Sequence, residues 1–273
     1  MAARPLLVVH ADDLGLSPDV NEATVAALDA GVVTSASLMA PAPAFEDAVA
    51  RTRGRGYDLG VHLTITSEWP SWRWGPVSPP SQVPSLVSPD GAFRADPFSA
   101  AREAAPDEVA AELHAQINRV VAAGLEPTHL DTHQFALLRT PTLRAVLARV
   151  AADRRLPCFD PFARRGAALG SWRRPRLEMR LAAPRPDEAP EAWVRGYCDA
   201  VGRATSGVTQ IVVHCGRATP ALYALTSGHS AFDAAWRQRD YDAVMSVGFR
   251  AALARGPAVR ADWRACSSDD AIA

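Results

Sequence analysis

The chain contains no lysine; all 29 of its basic residues are arginine. That excludes Schiff-base lysine chemistry and a Walker-type phosphate loop, since both require a primary amine. Cysteine is scarce. Cys158, Cys198, Cys215 and Cys266 show no close spacing, so no disulfide framework is expected and the thiols read as reduced, in a cytoplasmic protein. Net charge is only −1, which removes the electrostatic case for nucleic acid or an anionic membrane. Long apolar runs are missing as well. Met1 to Pro5 is followed by four strongly apolar residues only, so neither a signal peptide nor a membrane span is expected. No G-x-G-x-x-G follows the first strand signal; Asp12-Asp13-Leu14-Gly15-Leu16 stands there instead, which argues against a dinucleotide fold. There is no internal repeat and no linker marking a second domain.

What remains is a sequence of 273 residues, 48% hydrophobic, in which strand and helix signals alternate. Leu6 to Val9, Val33 to Met39, Tyr57 to Leu63, Thr128 to Asp131, Cys158-Phe159, Thr209 to Val213 and Val259 onward read as strands. Helices are expected between them. Ser17-Pro18 and Thr140-Pro141 are cap-and-first-turn pairs, Pro106 to Ala123 closes on Gly124, and Ser230 to Arg255 is one long helix broken near Gly248. Strands alternating with helices imply a parallel sheet. About seven strands in this length fit a distorted or incomplete (β/α) barrel better than an open sheet. The expectation is a single α/β domain over 1–265 with a frayed tail at 266–273. At about 67–105 an irregular insert holds seven prolines and Trp69, Trp72 and Trp74, a length that usually signals a functional loop. Arg164 to Pro190, rich in Arg and Pro, yields no assignment.

Histidines and one Asp-Asp pair stand where these strands end, and in parallel α/β folds the carboxyl ends of strands share the face that carries the site. Adjacent Asp12 and Asp13 would raise each other's pKa unless a cation relieves them. One can then be a metal ligand and the other a general base; a helix-capping turn before Ser17 is the bland alternative. His62 follows Leu59-Gly60-Val61. His129-Leu130-Asp131-Thr132-His133 places two imidazoles and a carboxylate at strand or helix spacing, with Asp131 able to orient one imidazole. His214 could serve as an acid, since imidazole titrates near neutrality, and Arg217 could hold a substrate oxygen. Cys215 offers a nucleophile, though cysteine is more often a small buried residue. His10 is expected on the opposite side of the sheet, in the core. His114 is expected at the surface, and His229 carries no role.

Together these residues resemble the YdjC-like carbohydrate deacetylase family. The matching stretches are Ala11 to Ser17 with Val20-Asn21, Gly31 to Ala36, Gly60 to Thr64, and Pro127 to His133. The resemblance spans roughly Leu6 to Met245 and implies a distorted (β/α) barrel of polysaccharide-deacetylase type that hydrolyses the N-acetyl group of an amino sugar or oligosaccharide with Mg2+ or Zn2+. Carried over by position, it implies Asp13, His62 and His129 as metal ligands, Asp12 as base and His214 as acid, while the spacing leaves Asp131 or His133 as an orienting group or alternative ligand. Arg217, Trp72 and Trp74 are weaker expectations for substrate contact. Two departures stand out: Gln134-Phe135 replaces the family's further histidines, and Cys215 replaces the proline after His214. The rival expectations are another metal hydrolase on this scaffold, a phosphoesterase or amidohydrolase, and a non-catalytic sugar-binding relative. Homo-oligomerisation is left open.

Overall fold

A computed structural model describes residues 4–161, 177–181, 188–228 and 231–267. His229 and most of the tail lie outside them. In chain order the elements are β1 (Leu6–Leu14), α1 (Pro18–Asp29), β2 (Ser35–Leu38), α2 (Phe45–Thr52), β3 (Leu59–Leu63), α3 (Pro97–Glu103), α4 (Pro106–Ala122), β4 (Leu130–Thr132), α5 (Pro141–Arg154), β5 (Leu177–Leu181), α6 (Pro190–Gly202), β6 (Val208–Val213), α7 (Pro220–Leu225), α8 (Ala234–Met245), α9 (Val247–Arg255), β7 (Val259–Arg260) and α10 (Trp263–Ser267). The strands run β4-β3-β2-β1-β6-β5, with β7 added to the start of β1. Each pairing is parallel. Cys158 adds one parallel rung outside β4, at Leu130, and nothing among the described residues joins β4 to β5. The architecture is therefore the incomplete barrel expected from the alternation of elements, in a single domain.

Caps set the helix starts. The Ser17 hydroxyl accepts from the Val20 N–H at 3.3 Å and Thr140 from Leu143 at 3.2 Å, each ahead of a first-turn proline. The expected long helix is two. Ser246 has extended backbone and its hydroxyl accepts from the Phe249 N–H, so the break expected near Gly248 falls at the capping serine two residues before it. A strand, β5, lies in the Arg- and Pro-rich stretch that showed no periodicity.

The two faces of β1 have different jobs. Leu7, Val9 and Ala11 belong to the large core shared with the helices. Val8 faces the barrel interior, in a small floor cluster with Phe159, Val208 and Trp263. Above that floor the interior is polar. His10, Ser35, Ser37, His62, His129 and Asp131 are all buried. The insert is packed, not loose. Trp69, Trp74, Val83, Leu86 and Phe93 join the main core, and Glu112 of α4 accepts the Val77 and Ser78 N–H groups at 2.9 Å each.

Candidate active site

A bulge makes the Asp-Asp pair usable. Between Ala11 and Leu14 the β1–β2 register slips by one residue, and Asp13 sits in the left-handed region at φ 68°. In a regular strand neighbouring side chains point to opposite faces. The extra residue turns Asp13 back, so both carboxylates border one cavity of about 300 Å³ at the carboxyl ends of the strands. Such backbone strain concentrates here. Of the five non-glycine residues with positive φ among the described residues, Asp13, Gln134, Phe135 and Phe232 line this cavity, and only Arg155, at a helix C-terminus, does not.

Three side chains converge at the cavity floor. Asp13 Oδ1 lies 3.3 Å from His62 Nε2 and 3.1 Å from His133 Nδ1, yet it is buried and makes no well-angled hydrogen bond to either. The outer nitrogen of each imidazole rests on a carboxylate. His62 Nδ1 is 2.7 Å from Asp131 Oδ1, and His133 Nε2 is 3.0 Å from a Glu68 oxygen. The Arg237 guanidinium donates to Asp13 Oδ2 at 2.7 Å. Burial would raise the Asp13 pKa, but the charges of Arg237 and His133 hold it well below the usual carboxylate range. Burial would lower both imidazoles; Asp131 and Asp12 instead hold His62 well above its ordinary value, and Glu68 and Asp13 push His133 up to about 9. A buried carboxylate oxygen facing two imidazole nitrogens, with the far nitrogens tied to carboxylates, is the arrangement found around bound divalent cations. These donors lie close enough together to hold one.

His129 is not brought to this group. It lies one residue before β4 and is fully buried, its ring stacked 4.7 Å from Trp263 and 5.0 Å from the His10 ring. The reason is strand geometry. Residues 129, 131 and 133 do share a face, but four residues of strand separate the ends by about 13 Å. Asp131 lies between, holding His62 above and His10 Nε2 at 3.0 Å below. Gly60 makes room for the lower imidazole, because a Cβ there would fall 2.4 Å from His129 Nε2.

His10 is buried as expected, but on the interior side. Its Nε2 is 3.3 Å from Asp12, since residues 10 and 12 of one strand share a face. Asp12 Oδ2 faces His214 Nε2 at 3.7 Å across the cavity. Burial drives the His214 pKa down to about 4. Behind His214, Asp240 of α8 accepts its backbone N–H at 2.8 Å and the Tyr197 hydroxyl at 2.6 Å, and burial pushes Asp240 up to about 7.

The weaker substrate expectations are not brought to the cavity. Arg217 lies over the Tyr241 ring at 4.1 Å, because its backbone N–H is taken by Asp19 on α1. Trp74 is buried behind His133, with ring centroids 6.2 Å apart, and Trp72 donates to the Leu16 carbonyl. Cys215 is fully buried, and burial raises its thiol pKa well above the ordinary value, away from a nucleophile's range. Sequence reasoning missed Glu68, Arg237 and Asp240. The last two stand three apart on α8, a spacing that places them on one helix face, but nothing in a single sequence marks that face as inward.

The arrangement defines a class first: a parallel α/β half-barrel with an Asp/His centre at the carboxyl rim of its strands. Comparison with known proteins makes it specific. The family model for YdjC-like proteins matches residues 6–255, and the chain belongs to that family. A carbohydrate deacetylase of Thermus thermophilus is 34% identical over 93% of this chain and 91% of its own length. One from Brevibacillus brevis is 38% identical, but over 57% of this chain and 59% of its own. In fold, an Enterococcus faecalis protein named for cellobiose-phosphate cleavage superposes with a TM-score of 0.80 over 97% of this chain and all of its own, at 24% identity.

Proposed function

We propose that this chain is a metal-dependent hydrolase that removes the N-acetyl group from an amino sugar or oligosaccharide. The observation that carries the reading is Asp13 Oδ1, buried without a well-angled hydrogen bond between His62 Nε2 and His133 Nδ1. Asp13, His62 and His133 are the ligands, with His133 in the role expected of His129. Two imidazoles and one carboxylate suit zinc better than magnesium, which prefers all-oxygen surroundings. A divalent cation there would supply charge to polarise an acyl oxygen and to acidify a nearby water.

The protein's own groups do the rest. Asp12 is the base that takes the water proton. Burial keeps His214 neutral near pH 7, so it does not hold a spare proton in the resting site. Asp12 Oδ2 is 3.7 Å away, and the proton Asp12 gains passes through His214 to the leaving nitrogen. Arg237 Nη1 is buried at the cavity wall without a partner and is placed to donate to a substrate oxygen, the part expected of Arg217. Phe135 and Phe232 supply apolar walls for a sugar ring. No disulfide forms among the described residues, which suits a reducing compartment, and we place the protein in the cytoplasm. No helix among the described residues is long and apolar enough to cross a membrane.

Acetate release is the test, assayed over N-acetylated glycans with added Zn2+ or Mg2+ and with phosphate esters as the competing substrate class. Asp13→Asn and His62→Ala lose bound metal and activity; Asp12→Asn keeps metal and loses turnover. Unchanged metal content in the first two would overturn the reading, and tight glycan binding without acetate would leave only a sugar-binding relative.

A further inference from the structure

We propose that Glu68 is a positioning residue for His133, so that the insert forms part of the metal centre; this rests on the metal reading above. The two imidazoles of the centre are supported differently. His62 lies inside β3, and the carboxylate behind it, Asp131, comes from the adjacent strand at 2.7 Å. His133 lies past the end of β4, where the chain turns away through left-handed Gln134 and Phe135. Its outer nitrogen is met by the insert, with Glu68 Oε1 and Oε2 at 3.2 and 3.0 Å from Nε2.

The chain on both sides of Glu68 is anchored. Ser67 donates its N–H to the Arg94 carbonyl at 2.9 Å. Trp69 is fully buried beneath the Arg237 guanidinium, 5.3 Å away, and Arg237 in turn holds Asp13. Adjacent residues of the insert thus reach two ligands, His133 directly and Asp13 through Arg237. With Nε2–H donated to Glu68, the His133 Nδ1 lone pair faces Asp13 Oδ1. A carboxylate in this place fixes the ring's tautomer and orientation and raises the basicity of the ligating nitrogen.

The experiment is zinc affinity by competition with a chromophoric chelator, at one pH, on the full chain, with the absorption spectrum of the Co2+-substituted protein as second readout. Glu68→Ala is expected to weaken zinc binding about 10- to 100-fold and to alter the Co2+ spectrum. Glu68→Gln keeps an acceptor without the charge and is expected to recover part of the loss; being isosteric, it carries the test if the alanine variant fails to fold. His62→Ala is the control. If it loses zinc while both Glu68 variants bind as wild type, the positioning role is wrong and the metal reading stands. If all three bind as wild type, the metal reading falls and this inference falls with it.

Discussion

The two ends of β4 carry the same side chain on the same face, and the surroundings give them opposite character. His133, at the upper end, meets Asp13 and Glu68 and opens on the cavity. His129, below the lower end, is stacked flat on Trp263 and walled in by Gly60 and His10. Charge follows position. Carboxylates push His133 up to about 9, whereas burial, with the positive charge of His10, drives His129 well below its ordinary pKa. The upper interior opens on the cavity and the lower interior closes on Trp263, and the same residue type serves both.

Substitutions can break this contrast. The largest effect is expected from His133→Ala. Loss of a ligand should remove several kcal/mol of transition-state stabilisation, about 10³-fold in kcat/KM, together with bound metal. His129→Ala should keep metal and lower stability instead. Equal metal loss in both variants, measured by elemental analysis after dialysis, would show that depth does not separate the two roles. Next comes Trp263→Ala, which opens the floor. A fully buried tryptophan truncated this far costs about 3–5 kcal/mol in urea unfolding, with KM for the acetylated substrate little changed.

A smaller effect concerns pH. Asp240 has a folded-state pKa of about 7, raised by burial above the ordinary value of 3.8. Its contribution is fully present below about pH 4 and is lost as pH rises toward 7, because the unfolded chain gives up the proton first. The slope is at most about 1.4 kcal/mol per pH unit. Asp240→Asn should flatten it, so wild type should lose stability relative to the variant between pH 5 and pH 7. A constant difference between the two would refute the raised pKa. The smallest effect is expected of Arg217→Ala. Its ring contact with Tyr241 is worth about 0.5–1 kcal/mol at an exposed site, and KM should not move.

The alternation of strands and helices, the single domain and the barrel were legible because period and caps are local signals. Asp12-Asp13 and His62 were legible as a motif at strand ends. The choice between His129 and His133 was not. The residues alone left both imidazoles open and the resemblance named His129; which of them reaches the rim depends on where the strand ends, and β4 ends at Thr132, just before His133. Arg237 and Asp240 were hidden because a helix carrying Arg, Gln and Asp reads as a solvated face. Glu68 was hidden because an insert rich in proline and tryptophan suggests a substrate wall, not a brace.

The surplus residue between Ala11 and Leu14 bears on how this chemistry can be lost. Shortening that stretch by one position would restore an unbroken pleat and leave one aspartate where two now border the cavity, while keeping every apolar anchor of the strand in register. The chain would keep its outline and lose its centre. An alignment gap of one position there would thus mark descendants that retain the scaffold without the paired carboxylates, and they would be recognisable from sequence before any assay.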